Sequence, residues 1–417
     1  MVRGSREVIK PVRRAPELLA PGGTLRKVET ALRYGADAVY VGGRDLNLRA
    51  GAAGLSQEEL ARAVGLAAQS NASIYYCLNI LAGQDHLAGV ERRLHELAQS
   101  GIHGVIIADP GVLRLARRIL PNTPIHLSTQ ANTSNGQSVA FWKEAGVARV
   151  NLARELGLRQ VQALMHADLG VEVELFVHGA MCMALSGRCL MSSYLNERSA
   201  NLGACTHPCR YEYRVASLGL EERTREGEVL WDVGEAGPYA ALLAAEDLCL
   251  IPYLPWLTRQ GIDAVKIEGR MKSESYLALV TDVFRTGLDD LVQGRFRLRS
   301  YLRELALSAT RPHATGFFLS GRRRKVLEPI PQNDRSAILG KVEDHVGPHG
   351  WRVAVLHRWL QGEKVRVLSP GLRRPSIGAY GLESLEGAKI DGAHPGTSVV
   401  LRCESSEPEP GLFLMTT

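Results

Sequence analysis

The chain has 417 residues, enough for one large and one small domain, and its 45% hydrophobic and 23% charged content excludes a disordered or fibrous protein. A formal net charge of +6 is mild for this length; it permits a phosphate-bearing partner such as RNA without requiring one. No apolar run approaches the ~20 residues of a membrane helix, and the start MVRGSREVIKPVRR is basic with no apolar core behind it, so no membrane partner is expected and a cytoplasmic location is.

After a basic tail (residues 1–15) one theme repeats: a short apolar run, a polar or Gly-rich turn, then an amphipathic helical pattern. The first run, 17–20, ends in Pro21-Gly22-Gly23, and Thr24 is placed to cap a helix over 24–34. The second, 36–41, ends in Gly42-Gly43-Arg44. The third, 73–78, ends at Asn79, and the fourth, 104–108, ends at Asp109. The fifth, 125–127, runs into Ser128, Gln130 and Asn132; the sixth, 149–152, runs into Arg154 and Glu155. The seventh, 171–177, ends at His178, and the eighth, 264–267, ends in Glu268-Gly269-Arg270. Helical patterns such as 57–69, 86–100 and 137–145 lie between them.

Eight strand–helix units predict an α/β fold, a TIM-like (β/α)8 barrel over 16–300, whose runs are near-continuously apolar because barrel strands are buried on both faces. A doubly wound open sheet is the alternative, since one sequence does not reveal strand order. The seventh unit is abnormal. About 85 residues separate its strand from the eighth, where a βα loop ordinarily has ~2–6, and this Cys-rich insertion (178–250) is the centre of interest. A helix over 272–293 follows the eighth run, then a linker over 301–335. From 336 to 417 short alternating runs (338–342, 351–355, 364–368, 398–401) between Gly and Pro turns predict a small all-β domain, a barrel or sandwich, with a binding or packing role.

Four of the seven cysteines, Cys182, Cys189, Cys205 and Cys209, fall in the insertion with the pattern Cys-x6-Cys-x15-Cys-x3-Cys. Thiols so grouped suit zinc or an iron–sulfur cluster, and the spacing does not separate the two. Glycines Gly179, Gly187 and Gly203 would let backbone N–H groups approach the sulfurs. Cys249, in what reads as a helix start, is an alternative fourth ligand to Cys209, although a core thiol is the plainer reading.

In a barrel, active sites sit at the C-terminal rim. His178, Glu268 and Arg270 are the candidate catalytic residues there. Asn79, Asp109, Gln130, Asn132, Arg154 and Lys266 are the candidate substrate-binding residues. Any one polar strand end is unremarkable; their convergence on one rim is the better account of the set. Side-chain alternation means that Lys266, Glu268, Arg270 and Lys272 cannot all face the site. Arginine suits bidentate contact with an anionic substrate. No HExxH, G-x-S-x-G or P-loop motif occurs. The basic cluster GRRRK at 321–325 is the better RNA-contact candidate of two such clusters.

The segments ELLAPGG, GADAVYVGG, LNLRAGA, ADPGV, HLSTQANTSN, FVHGAMC…SGRCL, NLGAC…PCRYEY and VKIEGRMKS, in this order over about 16–290, resemble the peptidase U-thirty-two family, the collagenase-like proteases. The resemblance is nearest to the branch of prephenate-dependent tRNA 5-hydroxyuridine hydroxylases. It implies a 4Fe-4S cluster on Cys182, Cys189, Cys205 and Cys209, prephenate as the small anionic cosubstrate, and tRNA wobble uridine as the target of an O2-independent hydroxylation. Arg198-Ser199, the stretch 245–248 and Leu185 depart from the usual pattern. Alternatives are a collagenase-like peptidase, a hydroxylase of rRNA or of a quinone precursor, and a non-catalytic RNA-binding protein with a structural metal. A partner subunit is left open.

Overall fold

The structure is a computed structural model that describes residues 15–48, 53–167, 169–182, 184–186, 188–211, 246–309, 311–319, 326–327 and 337–416. The basic start and the 321–325 cluster lie outside the described residues, as does most of the second half of the insertion.

Eight parallel strands close into a barrel: β1 (Glu17–Gly22), β2 (Ala38–Val41), β3 (Ser73–Leu78), β4 (Gly104–Ile107), β5 (Ile125–Leu127), β6 (Arg149–Asn151), β7 (Glu172–Ala180) and, after a further strand β8 (Asp247–Cys249), β9 (Ala264–Ile267). Each pairs with the next, and β9 pairs in parallel with both β1 and β7, which closes the cylinder. All eight apolar runs are therefore barrel strands, and the open-sheet alternative is excluded.

Helices α1 (Leu25–Arg33), α2 (Gln57–Gln69), α3 (Leu87–Leu97), α4 (Pro110–Ile119), α5 (Gly136–Glu144) and α6 (Leu158–His166) follow the first six strands. Their starts are chemically specified. Thr24 caps α1 as expected, Ser56 and Glu59 form a reciprocal capping box on α2, and Asp109 precedes Pro110 at the start of α4. The insertion carries α7 (Met191–Asn196); α8 (Leu254–Arg259) precedes β9, and the long α9 (Glu274–Val292) and α10 (Leu298–Leu307) follow it.

Three expectations are corrected here. Cys249 lies not on a helix start but on β8, which pairs antiparallel with the end of β7, His178 opposite Cys249. The extension of β7 past residue 177 offers a free strand edge, and this buried three-residue strand covers it. The segment 301–335, expected as a linker, holds most of α10 and two short strands, β10 (His313–Ala314) and β11 (Val326–Leu327), with β10 parallel to β8. Finally, the C-terminal domain is not a closed barrel in its hydrogen-bonded ladders. It is a six-stranded antiparallel sheet built from β12 (Ile338–His345), β13 (Gly350–Val355), β15 (Val365–Leu368), β16 (Tyr380–Glu383), β18 (Ser398–Cys403) and β19 (Phe413–Thr416). Its order is β15-β19-β12-β13-β18-β16, beside a ribbon of β14 (Trp359–Leu360) and β17 (Gly392–Ala393).

Beside a small apolar cluster that includes Leu19, Ala38, Cys77 and Ile106, the barrel interior holds charged side chains where branched apolar residues usually fill such barrels. Alternation turns Glu17, Tyr40, Tyr75, His126, Arg149, Asn151, Glu174 and Lys266 inward. Arg149 bonds Glu17 at 2.6 Å and Glu172 at 2.7 Å, and stands 3.7 Å from Glu174. Glu174 accepts from Lys266 Nζ at 2.8 Å and from Asn151 Nδ2 at 2.7 Å. Lys266 also lies 4.7 Å from the centre of the Tyr40 ring, a cation–π contact. Tyr75 donates to Glu17 at 2.9 Å, and its ring meets His126 at 4.5 Å.

The two domains are clasped together. Asp282 of α9, 1% exposed, accepts from Gly371 N–H at 2.6 Å and pairs with Arg374 at 3.0 Å. Tyr34 donates to Leu368 O at 2.6 Å, and Lys341 pairs with Glu274 at 2.6 Å.

Removing one partner of a buried pair strands the other charge. Arg374→Ala is therefore expected to lower the unfolding free energy by about 3–5 kcal/mol in urea melts; a loss under about 1 kcal/mol would show that the clasp does not hold the domains. Burial, with Arg149 and Lys266 nearby, holds His126 well below the ordinary 6.5, and burial does the same to His178. Both are neutral when folded and titrate when unfolded, so below about pH 6.5 the unfolded chain binds more protons and stability falls as pH falls. Denaturant melts should show a decline of about 1.4 kcal/mol per pH unit for each such histidine. His126→Gln should remove one share of that slope; an unchanged slope would mean that His126 is already charged in the fold.

Candidate active site at the barrel mouth

The C-terminal strand ends and the cysteine insertion share one mouth. Arg154, just past β6, does most to hold the insertion. Its guanidinium donates to Ala180 O and to Ser186 Oγ, both at 3.2 Å, and to Cys182 Sγ at 3.7 Å. Next to it Glu155 accepts from Ser186 N–H at 2.7 Å. Arg188 Nε donates to Asn132 Oδ1 at 3.4 Å, and Leu81 N–H, past β3, donates to Asn201 O at 3.4 Å. Within the insertion Ser192, at the start of α7, accepts from Thr206 N–H at 3.0 Å. Loops after β3, β5 and β6 thus hang the insertion over the barrel opening.

The four thiols are unbridged; Cys182 is exposed and the other three are half-buried. Donors already face two of them: Arg154 at Cys182, and the His207 N–H at Cys205 Sγ, 3.4 Å away. Among the described residues, however, no three His, Cys, Asp or Glu side chains are gathered as a group that could hold a metal ion. The sulfurs share one segment, and among the described residues they form no closed cage. Cys249 stands apart: it is fully buried, and burial pushes its thiol up to about 12, which makes it a poor source of thiolate.

The rim candidates divide into groups. Asn79 donates to Ser128 Oγ and to Gln130 Oε1, both at 3.2 Å, and accepts from Leu48 N–H at 3.3 Å. Ser128, in turn, bonds Gln130. Tyr40 OH donates to Ile267 O at 2.9 Å and to Glu268 at 3.3 Å, which brings Glu268 to the mouth above Lys266. Lys266 itself sits lower, paired with Glu174. Arg270 is 2% exposed and donates through Nη1 to Asn47 Oδ1 at 2.8 Å. Asp109 has a local structural task, accepting from Gly111 and Val112 N–H at 2.8 and 3.0 Å as the cap of α4.

His178 is placed away from the mouth. The β7–β9 register shifts between Phe176 and His178, so that His178 lies opposite Ile267. The bulge reverses the alternation. The imidazole points outward against Tyr276 and Phe284 of α9 and against His313 of β10, at ring distances of 6.0, 5.6 and 5.1 Å. It is 1% exposed, and neither ring nitrogen has a partner among the described residues.

Sequence reasoning missed Asn47, Ser128, Tyr40, Glu174 and Glu155. Asn47 and Ser128 lay inside quoted motifs, and Glu174 is a charged residue in the buried middle of a mostly apolar strand, a signal that a buried charge needs a partner.

Comparisons with known proteins agree in direction. The family described as Peptidase family U32 matches residues 23–328. The tRNA hydroxylation protein P1 of Bacillus subtilis (strain 168) is 39% identical over 322 residues, covering 76% of this chain and 73% of that protein. The tRNA hydroxylation protein P of Escherichia coli (strain K12) is 33% identical, covering 90% of each. A 23S rRNA 5-hydroxycytidine synthase of Escherichia coli (strain K12) is 33% identical over 280 residues, covering 67% of this chain and 40% of that protein. With a match over most of its length and relatives at this identity, the chain belongs to peptidase family U32.

Proposed function

We propose that this chain is an enzyme that hydroxylates RNA, and specifically that it makes 5-hydroxyuridine at the tRNA wobble position without O2, with prephenate as cosubstrate and in the cytoplasm. The observation that carries the reading is the four-thiol insertion tied across the barrel mouth by Arg154, Glu155 and Asn132. The names of the 39% and 33% identical relatives support tRNA as the substrate class.

In this reading Cys182, Cys189, Cys205 and Cys209 hold a 4Fe-4S cluster. The donor set fits in chemistry: four cysteine thiols without a disulfide, with a guanidinium and a backbone N–H already directed at sulfur. Bound there, the cluster supplies iron-centred redox or Lewis-acid chemistry at the mouth. Arg154 keeps the first thiol in register with the strand end, and Glu268 and Tyr40 face the opening as hydrogen-bonding groups. The buried Lys266–Glu174 pair keeps the floor rigid and dry. Outward-facing His178 supports the wall behind β7 and takes no part in the reaction.

The rRNA relative supports a second target, a ribosomal cytidine. Mass spectrometry of nucleosides from a deletion strain separates the two: loss of 5-hydroxyuridine from tRNA is expected, and loss of hydroxycytidine from rRNA alone would move the target. Retention of both would overturn the enzyme reading, and gelatin cleavage by the pure protein would then support the peptidase alternative. Protein purified without air should be brown, with about four iron and four sulfide per chain. A Cys205→Ser chain should lose most of both, whereas colourless protein with one zinc per chain would remove the cluster.

A further inference from the structure

Three residues with cationic side chains are buried in the barrel: Arg149, Lys266 and Arg270. Arg149 and Lys266 each have carboxylates at hydrogen-bond distance. Arg270 does not. Its one side-chain bond among the described residues is to the neutral amide of Asn47, and its Nε and Nη2 are buried without any partner. An unpaired charge in such a place costs several kcal/mol, so a position that keeps one is a position where an anion arrives.

The guanidinium is held in one pose on every side but one. Asn47 is itself buried and locked: its Nδ2 donates to Gly43 O and Asp45 O, both at 2.8 Å, which aims Oδ1 at Nη1. Gly42 forms the floor, where a Cβ would stand 2.8 Å from Nη2 and 3.0 Å from Nη1. The Arg270 backbone is fixed by Lys27, whose Nζ donates to Arg270 O at 2.9 Å. What remains unpartnered among the described residues is the edge formed by Nε and Nη2, and it is buried. Those two N–H groups are parallel and spaced to match the two oxygens of a carboxylate.

We infer that Arg270, held by Asn47 on the Gly42 floor, is the binding site for the carboxylate of a small organic acid at the neck of the barrel. The inference rests on the reading that the mouth is the reaction site, and it names the group that receives the cosubstrate. A polynucleotide phosphate is the other anion at hand. At 2% exposure the guanidinium is out of reach of a bulky backbone, so the occupant is a small acid that displaces little of the surrounding chain. Arg270 is the ligand-contacting residue and Asn47 a positioning residue.

The test uses the full chain purified without air, with prephenate titrated calorimetrically and the melting temperature followed with and without it. Wild type should bind and be stabilised by prephenate. Arg270→Met should lose at least 100-fold in affinity, Arg270→Lys at least 10-fold and Asn47→Ala about 10-fold, because the fork or its aim is lost. Without ligand, Arg270→Met should melt no lower than wild type, since it removes an unpaired buried charge, yet prephenate should no longer raise its melting temperature; a merely structural Arg270 would not separate these readouts. Unchanged prephenate affinity in Arg270→Met overturns the inference, even where the deletion strain has lost its hydroxyuridine. Arg270-dependent binding of citrate or pyruvate but not of prephenate supports the site and removes prephenate from the functional reading. No binding of any of these acids by wild type overturns the site, as does a loss of tRNA affinity in Arg270→Met with carboxylate binding intact.

Discussion

A single buried carboxylate, Glu174, organises the interior of the barrel. It accepts from Lys266 and Asn151, and Arg149 lies within ion-pair reach. Two cations on β6 and β9 are thereby tied to the strand between them, so the same residues that close the cylinder also neutralise its contents. Such a network contributes little net stability over an apolar core, but it permits few alternative packings.

Strand β7 links that interior to the mouth. Its lower half carries Glu174, its bulge turns His178 toward the helix layer, and its last residues accept β8 on one edge and Arg154 on the other. The insertion leaves from this strand, so the cysteines inherit their position from it. The segments that receive the insertion come from other strands: Leu81 after β3, Asn132 after β5, and Arg154 with Glu155 after β6.

Much of this was legible in the residues. Eight apolar runs with Gly or polar ends are what a closed parallel sheet requires, and each became a barrel strand, because burial on both faces leaves a one-dimensional trace. The insertion was legible for the same reason, as an interval too long for a βα turn. The orientation of His178 was not, since one extra residue in a strand reverses a side chain without altering composition. Cys249 looked helical because Asp247 resembles a cap; only the exposed edge of the extended β7, a tertiary feature, makes that segment a strand. The pairing of Arg270 with Asn47 joins positions 223 apart in sequence, and no local pattern reveals such a contact. The β domain was legible as alternation, but closure depends on which edge strands meet, and that is absent from any single run.

The clasp at Asp282 reaches further than the joint it holds. Asp282 and Glu274 lie on α9, the helix that leaves directly from the loop carrying Glu268 and Arg270, and both are bonded to the C-terminal sheet. One helix therefore spans from the mouth loop to the accessory sheet. The helix, 19 residues long, thus fixes the spacing between the accessory sheet and the strand ends at the mouth.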